Sequence, residues 1–185
     1  MNDYQYFLDK VSEFHRGTCI GTALGTRITL AALRYLDLDP RQDNRKSIIA
    51  YVEIDRCMTD AVQAITGCSL GRRSLKHIDY GKFAATFINL KTGRAVRGTV
   101  KRAFSGQGDK EKTMREIAAI PDEELVTLDP VHIDVPENDM PGSPRERVYC
   151  SSCGERVVDG RHVEKDGIVL CRGCAGTSYY RAIEG

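Results

Sequence analysis

The sequence predicts an α+β protein, a mixed helix and sheet core domain followed by a small C-terminal treble-clef or ribbon zinc module. Three observations support this fold class. Residues 22–38 place Ala, Leu and other apolar residues at helical spacing. "SIIAYVEI" is a run of β-branched and aromatic residues that is typical of a buried strand, and two C-x-x-C pairs lie near the end of the chain.

The first half of the core is predicted to alternate helices and strands. Apolar residues at helical spacing indicate an amphipathic helix over residues 3–14, and the helix over 22–38 ends near Pro40. The small residues of "GTALG" favour close packing of this second helix against a neighbour. A buried strand over 47–54 precedes a short helix, "CMTDAVQAIT", which Asp55 can cap and which ends at Gly67. "GCSLGRRS" is predicted to be a glycine-rich loop.

The second half of the core is predicted to continue with strands. "KFAATFINL" and "RAVRGTV", joined at "KTG", predict a hairpin. "DKEKTMREIAAI" predicts a helix with charged outer positions, and Pro121 with Asp122 begins a further helical turn. "PVHIDV" is a candidate late strand.

A boundary is predicted at "VPENDMPGSPRER", residues 135–147. Three prolines, a glycine and many polar residues are poor material for a core, so this segment is expected to be a linker. It divides a core domain over residues 1–134 from a cysteine-rich tail over residues 148–185.

The tail pattern predicts a structural zinc site. Cys150 and Cys153 form one C-x-x-C, Cys171 and Cys174 form another, and 17 residues separate the pairs. Redox C-x-x-C motifs usually occur singly, and so short a tail has too little apolar surface to fold without a metal. Four thiolate ligands leave no open position, so we expect the ion to be structural. "RVV" and "GIVLC" are expected to form the two arms of a hairpin, followed by a short helix in "AGTSYYRAI".

Composition limits the classes of function. The chain has 185 residues and a net charge of +1. From Pro141 onward it contains seven Lys and Arg and six Asp and Glu. This balance argues against a surface that binds nucleic acid. Seven cysteines, an odd number with four in pairs, favour metal binding in a reducing compartment. The N-terminal residues lack the pattern of a signal peptide and no apolar run is long enough to cross a membrane, so we expect a cytoplasmic protein.

The three core cysteines allow two interpretations. Cys19 follows His15 by four residues, and Cys57 begins a helix, where the dipole favours a thiolate. His15, Cys19 and Cys57 would form an open site that suits zinc or a similar divalent metal. A buried cysteine at each position is the alternative, and it is the favoured interpretation of Cys68.

Two long motifs and the tail carry a family resemblance. "FHRGTCIGTALGTR", "VEIDRCMTDAVQAITGCSLGRRSLKHIDYGKFAATF" and the paired cysteines together resemble the FmdE-like proteins, a family named for the E subunit of formylmethanofuran dehydrogenase. This chain matches the first motif of that family at His15, Cys19 and Gly21. At Gly17 it differs, because the family has a second histidine there. The resemblance implies an α+β core that forms a homodimer, a cleft that holds the His and Cys residues, and a zinc-finger tail.

Three further residues are candidate binding groups at the same cleft. Asp60, Tyr80 and Lys82 are polar, and the Lys82 ammonium could bind an anionic group or favour a thiolate. A lysine at a solvated strand end is the alternative.

Three functions follow as hypotheses. The first is a metal-binding protein whose zinc tail docks a partner, either a second copy of the chain or a protein of an oxidoreductase complex. The second is a metal-dependent enzyme that uses the core site, and the third is a nucleic-acid-binding regulator. The sequence leaves open whether the protein is an enzyme.

Overall fold

A computed structural model describes residues 3–104 and 108–183 of the chain. They separate into two compact units, Met1–Asp134 and Val135–Gly185, and each is described by itself. The helices of the first unit are α1 (Asp3–His15), α2 (Ile20–Tyr35), α3 (Cys57–Thr66), α4 (Lys110–Ala119) and α5 (Asp122–Leu125). Its strands are β1 (Ile48–Val52), β2 (Leu75–His77), β3 (Ala84–Asn89), β4 (Ala95–Val100) and β5 (Val126–Val131). The predicted α+β class is therefore confirmed.

The five strands form one mixed sheet in the order β2-β1-β3-β4-β5. β1 and β2 run parallel, and the other neighbours are antiparallel. All six residues of β3 are buried, as expected of a strand with a neighbour on each side. This sheet is one wall of the core.

Helix α2 forms the centre of the unit. Twelve of its 16 residues are buried, and it contacts both the sheet and the helices α1, α3 and α4. Gly98 in β4 makes room for it, because a Cβ there would lie 2.7 Å from the Ile28 Cγ2 atom. The apolar pattern that predicted this helix reflects burial on nearly every side.

Three details of the core differ from the sequence prediction. The sequence does not predict β2, because only Leu75 of its three residues is buried and the strand has almost no apolar pattern. Backbone hydrogen bonds to β1 hold it at the edge of the sheet. The last strand begins at Val126, four residues before the predicted "PVHIDV", because Val126 pairs with Val100 of β4. The cap of α3 is Arg56 rather than Asp55, and it makes no side-chain capping bond.

The second unit is built from two hairpins. β6 (Arg147–Tyr149) pairs with β7 (Arg156–Val158), and β8 (His162–Lys165) pairs with β9 (Ile168–Cys171). The predicted pairing of "RVV" with "GIVLC" is therefore wrong. A tight turn at Asp166 and Gly167, both at positive φ, pairs β9 with β8 instead.

The end of the tail also differs from its prediction. Helical structure covers only the single turn Gly173–Thr177, and Gly176 at φ 105° interrupts it, so the short helix predicted in "AGTSYYRAI" is wrong. Segment 135–147, which contains the short helical turn Glu137–Asp139, belongs to this unit. Of the residues described in this unit, only Cys150 and Asp159 are buried. It has almost no apolar core.

Candidate metal centres

Three helix ends bring the core candidates together. His15 is the last residue of α1, Cys19 is the N-cap of α2 and Cys57 is the first residue of α3. One ligand atom from each lies within 4.8 Å of the others, and all three residues are partly buried. We call His15, Cys19 and Cys57 the core cluster. Imidazole nitrogen and thiolate sulfur are the donors that zinc and similar ions favour, so this donor set fits a metal.

Asp60 fixes the histidine of the core cluster. Its Oδ2 atom lies 2.6 Å from His15 Nδ1, one helical turn beyond Cys57. This hydrogen bond, together with the negative charge of Asp60, raises the pKa of His15. Because Nδ1 is engaged by the carboxylate, Nε2 is the nitrogen left for a metal. A carboxylate behind a histidine is the usual means of orienting a metal ligand.

The two thiols of the core cluster differ in their surroundings. Cys19 Sγ accepts a hydrogen bond from the Thr22 backbone N–H at 3.4 Å, and the Cys19 N–H donates to Thr22 Oγ1 at 3.0 Å, which forms a capping box. Burial alone would raise the pKa of Cys19, but hydrogen bonds from the Thr22 backbone and the Cys57 thiol lower it below its ordinary value. Burial and the neighbouring Cys19 raise the pKa of Cys57. Cys19 therefore carries the first thiolate.

Two glycines of α2 allow the thiols to approach. A Cβ on Gly21 would lie 3.1 Å from Cys57 Cβ, and one on Gly25 would lie 2.9 Å from both Met58 Cα and Ala61 Cβ. Helices α2 and α3 therefore pack almost backbone to backbone, which confirms the packing predicted from "GTALG". The close contact fixes Cys57 beside the N-terminus of α2.

Of the other predicted binding residues, only Asp60 joins this cluster. Tyr80 is 64% exposed and Lys82 is exposed, with its Nζ atom 5.6 Å from the Tyr80 ring centroid. Their backbone N–H groups donate to the Glu53 carbonyl oxygen. The contacts of these two residues thus lie at the end of β1. Cys68 is buried and stands outside the cluster, as its structural interpretation requires.

Neither the ion pair of the buried Glu53 nor the hydrogen-bond partner of Cys19 was predicted from the sequence. Glu53 is 7% exposed and accepts two hydrogen bonds from the Arg97 guanidinium, at 2.6 and 2.7 Å. The only sequence signal for this ion pair is an acidic residue, Glu53, at the end of an apolar strand. Thr22 could have been found from its position three residues after an N-cap.

The four tail cysteines form a second cluster. Their Sγ atoms all lie within 4.8 Å of one another, and we call Cys150, Cys153, Cys171 and Cys174 the tail cluster. Tetrahedral zinc with Zn–S bonds of about 2.3 Å requires sulfurs about 3.8 Å apart, which this arrangement accommodates. The donor set therefore fits a closed four-thiolate site.

Backbone amides shape the tail cluster. Gly154, at φ 74°, donates to the Cys150 carbonyl oxygen at 2.9 Å, and the Cys174 N–H donates to Cys171 Sγ at 3.3 Å. Backbone N–H groups of Cys153 and Cys171 lower the pKa of Cys150 to about 6. Amides that point at sulfur stabilise the thiolate form that binds metal.

Among the helices in the described part of the chain, none is both long enough and apolar enough to cross a bilayer.

Comparison with known proteins places the chain in a family. The family model "FmdE, Molybdenum formylmethanofuran dehydrogenase operon" matches residues 14–127, which include the whole core cluster. A protein of Archaeoglobus fulgidus named as a probable S-adenosyl-L-methionine-binding protein is 32% identical over 94% of this chain. The chain spans about half of that relative's length, 53%.

A solved structure supports the same assignment at the level of the fold. It is an FmdE-like protein from Syntrophus aciditrophicus, named for the E subunit of tungsten formylmethanofuran dehydrogenase, with a TM-score of 0.62 and 22% identity. The match covers 96% of this chain and 95% of the other. The predicted resemblance is confirmed, and the chain belongs to the FmdE family.

Proposed function

We propose that this protein binds two metal ions of different character. Zinc at the tail cluster is structural, and a second zinc or similar divalent ion binds at the core cluster. The observation that carries the proposal is the convergence of His15, Cys19 and Cys57 from three helix ends, with Asp60 behind the histidine. The carboxylate orients the histidine, and the two thiols lie beside it. This arrangement favours binding of a metal ion.

The two sites differ in what they leave open. Four protein thiolates complete a tetrahedral ion, so the tail ion holds structure. Three protein ligands leave one position for water or another ligand in the core. We therefore assign the function of the protein to the core site.

Partner binding is a further part of the proposal. A zinc module with little core of its own suits docking, either to a second copy in a homodimer or to a protein of an oxidoreductase complex. The formylmethanofuran dehydrogenase names of the family and of the structural relative support this second partner. Nucleic acid is not proposed, because the tail carries nearly balanced charge. The S-adenosylmethionine binding named for the archaeal relative is not extended to this chain, which spans about half of it.

Metal analysis of purified variants tests the proposal. We expect about two metal ions per chain, one lost in Cys19→Ala and the other lost in Cys150→Ser. Cys68→Ala is the matched control, because Cys68 is buried outside both clusters and its loss should leave metal content unchanged. About one ion per chain, unchanged by Cys19→Ala, would refute the core site.

The open position favours a second candidate, a metal-dependent enzyme. An ion with three protein ligands can polarise a bound substrate or activate water. Cobalt substitution tests this candidate, because the absorption of Co²⁺ reports its ligands. Added azide should change the spectrum of the core ion and leave that of the tail ion unchanged. A core spectrum that responds neither to azide nor to pH would exclude the enzyme.

A further inference from the structure

Cys19 and Cys57 are also a pair of neighbouring thiols. Their Sγ atoms lie within 4.8 Å of each other, and both residues are partly exposed. They come from the first turns of two helices, α2 and α3, and both helices are fixed by their mutual packing. Gly21 lies between them and offers no side chain to keep them apart.

The separation of these sulfurs can be compared with the geometry of a disulfide. A disulfide requires the sulfurs about 2.05 Å apart and the Cβ atoms about 3.8 Å apart. From a separation under 4.8 Å, rotation of the two side chains can close most of the gap. Cys68, the third core cysteine, is buried at 1% exposure and lies outside this cluster.

We propose that Cys19 and Cys57 form a disulfide when the metal-free core cluster meets a hydroperoxide. The Cys19 sulfur attacks the peroxide oxygen, the O–O bond breaks, and Cys19 becomes a sulfenic acid while the peroxide leaves as an alcohol or water. The Cys57 thiol then attacks the Cys19 sulfur. An S–S bond forms, and the hydroxyl group leaves with the Cys57 proton as water. Two thiols are oxidised and one peroxide is reduced.

The surroundings of the sulfurs set this order. Cys19 Sγ accepts the Thr22 N–H at the N-terminus of α2, which favours the thiolate that attacks peroxide. Cys57 is the first helical residue of α3 rather than its cap, and it stands within reach as the second thiol.

The disulfide would exclude a metal from the core cluster, because it consumes two of three ligands. The core site would then bind metal only in the reduced state. Disulfide formation depends on the two sulfurs and not on the ion, so it is independent of the proposed function.

Peptide mapping of the full chain tests the proposal. The reduced, chelator-treated protein is exposed to hydrogen peroxide in successive additions, because the metal-free tail thiols also consume it. Free thiols are then alkylated, and the chain is cut with trypsin. We expect peptide 17–27 linked to peptide 57–72, two hydrogens lighter than their sum, with fragmentation placing the link at Cys57 and the alkyl group on Cys68. Unlinked peptides, or a link from Cys19 to any other cysteine, would overturn it.

Two variants separate the steps. Cys57→Ser should stop at the sulfenic acid, which dimedone traps on peptide 17–27. Cys68→Ala is the matched control, and it should form the link at the wild-type rate. Loss of the link in Cys68→Ala, or no dimedone adduct on Cys19 in Cys57→Ser, would contradict the proposed order.

Cobalt uptake distinguishes the two proposals. If the link forms and blocks cobalt at the core cluster, both proposals are supported. If the link forms but neither the reduced nor the oxidised chain takes up core cobalt, the redox inference stands and the core metal is refuted. If the reduced chain takes up core cobalt and the fully linked chain takes up as much, the exclusion of metal by the disulfide would be overturned, since linked sulfurs cannot serve as thiolate ligands.

Discussion

The core cluster and the tail cluster use similar donors in opposite settings. His15, Cys19 and Cys57 stand at the ends of helices whose apolar faces are already buried. The tail cluster belongs to a unit in which, of the residues described, only Cys150 and Asp159 are buried. Folding therefore positions the ligands in the core, whereas in the tail the ion must supply what packing does not.

This difference teaches how one chain can hold a functional ion and a structural ion. A preformed site can lose its ion and keep its shape, so it can exchange ligands or react. A site that folds around its ion must keep it. If this contrast holds, its consequences range from loss of the tail fold to a small shift in the titration of one histidine.

Metal removal should unfold the tail and spare the core. Zinc supplies about 10–16 kcal/mol of folding free energy in isolated zinc-finger peptides, far more than a unit with two buried residues can replace. Hydrogen exchange with and without a strong chelator measures this directly. We expect protection to vanish over residues 148–174 and to persist in α2 and β3.

Cys150→Ser should reproduce the effect of the chelator on the tail without added reagent. Cys19→Ala is its control, because it removes a core ligand and should leave protection in the tail unchanged. Persistent protection of β8 and β9 in metal-free protein would remove the contrast between the two units.

Packing of α2 on α3 should set the stability of the metal-free core. Gly25→Ala places a Cβ within 2.9 Å of Met58 Cα and Ala61 Cβ, so α2 and α3 must separate. Overpacking of this kind costs about 1–3 kcal/mol, and backbone contact favours the upper end. Urea unfolding of the metal-free core, followed by circular dichroism, measures the loss.

Gly71→Ala is the matched control for this substitution. A Cβ on Gly71 meets nothing within 4 Å, and the residue has no positive φ. Its free energy of unfolding should stay within about 0.5 kcal/mol of wild type. An equally small effect of Gly25→Ala would mean that the core ligands are not positioned by this contact.

Asp60→Asn should weaken the core metal and leave the tail metal untouched. Loss of a carboxylate behind a metal-binding histidine typically lowers affinity about 10–100-fold. The 2.6 Å contact to His15 Nδ1 is the interaction removed. Competition with a chromophoric chelator measures both affinities in one titration. Equal affinities in wild type and variant would show that Asp60 does not orient the ligand.

The core fold was largely readable from the sequence because burial and periodicity coincide there. Apolar residues at helical spacing predicted α2, and the apolar run "SIIAYVEI" predicted β1; both elements are largely buried. β2 escaped because a three-residue edge strand is held by backbone hydrogen bonds and carries almost no side-chain signal. The register of β5 depends on its partner β4, which lies far away in the chain.

In the candidate sites too, features set by local spacing could be predicted, and features set by distant contacts could not. Spacing alone identified all four tail cysteines, since each pair is local, but it could not tell which strands of the tail pair. In the core, Cys57 lies 38 residues from Cys19, so only the packing of α2 on α3 could bring them together. Tyr80 and Lys82 were assigned to the cleft as polar groups, and the contact that their side chains make with each other neither supports nor contradicts that assignment.

The smallest expected effect concerns the proton that a core metal must displace. The hydrogen bond to Asp60 raises the pKa of His15 above its ordinary value of about 6.5. A raised pKa means that the pair stabilises the metal-free fold below about pH 6.5, and that this contribution is lost as pH rises through the folded-state pKa. The stability difference between wild type and Asp60→Asn should therefore be largest near pH 5–6 and vanish at alkaline pH.

Proton NMR of the imidazole rings in metal-free, reduced protein measures this effect at His15 itself. We expect the His15 titration to move to lower pH in Asp60→Asn, because the variant lacks the carboxylate that raises the pKa of His15. Metal binding to the core should weaken as pH falls through this same range, since His15 must release its proton to become a ligand. The tail cluster contains four thiols and no histidine, so its loss of metal should follow protonation of thiolates instead of an imidazole. If Asp60→Asn left the pH range of metal loss from the core unchanged, His15 would not be the group that sets the pH dependence of that site.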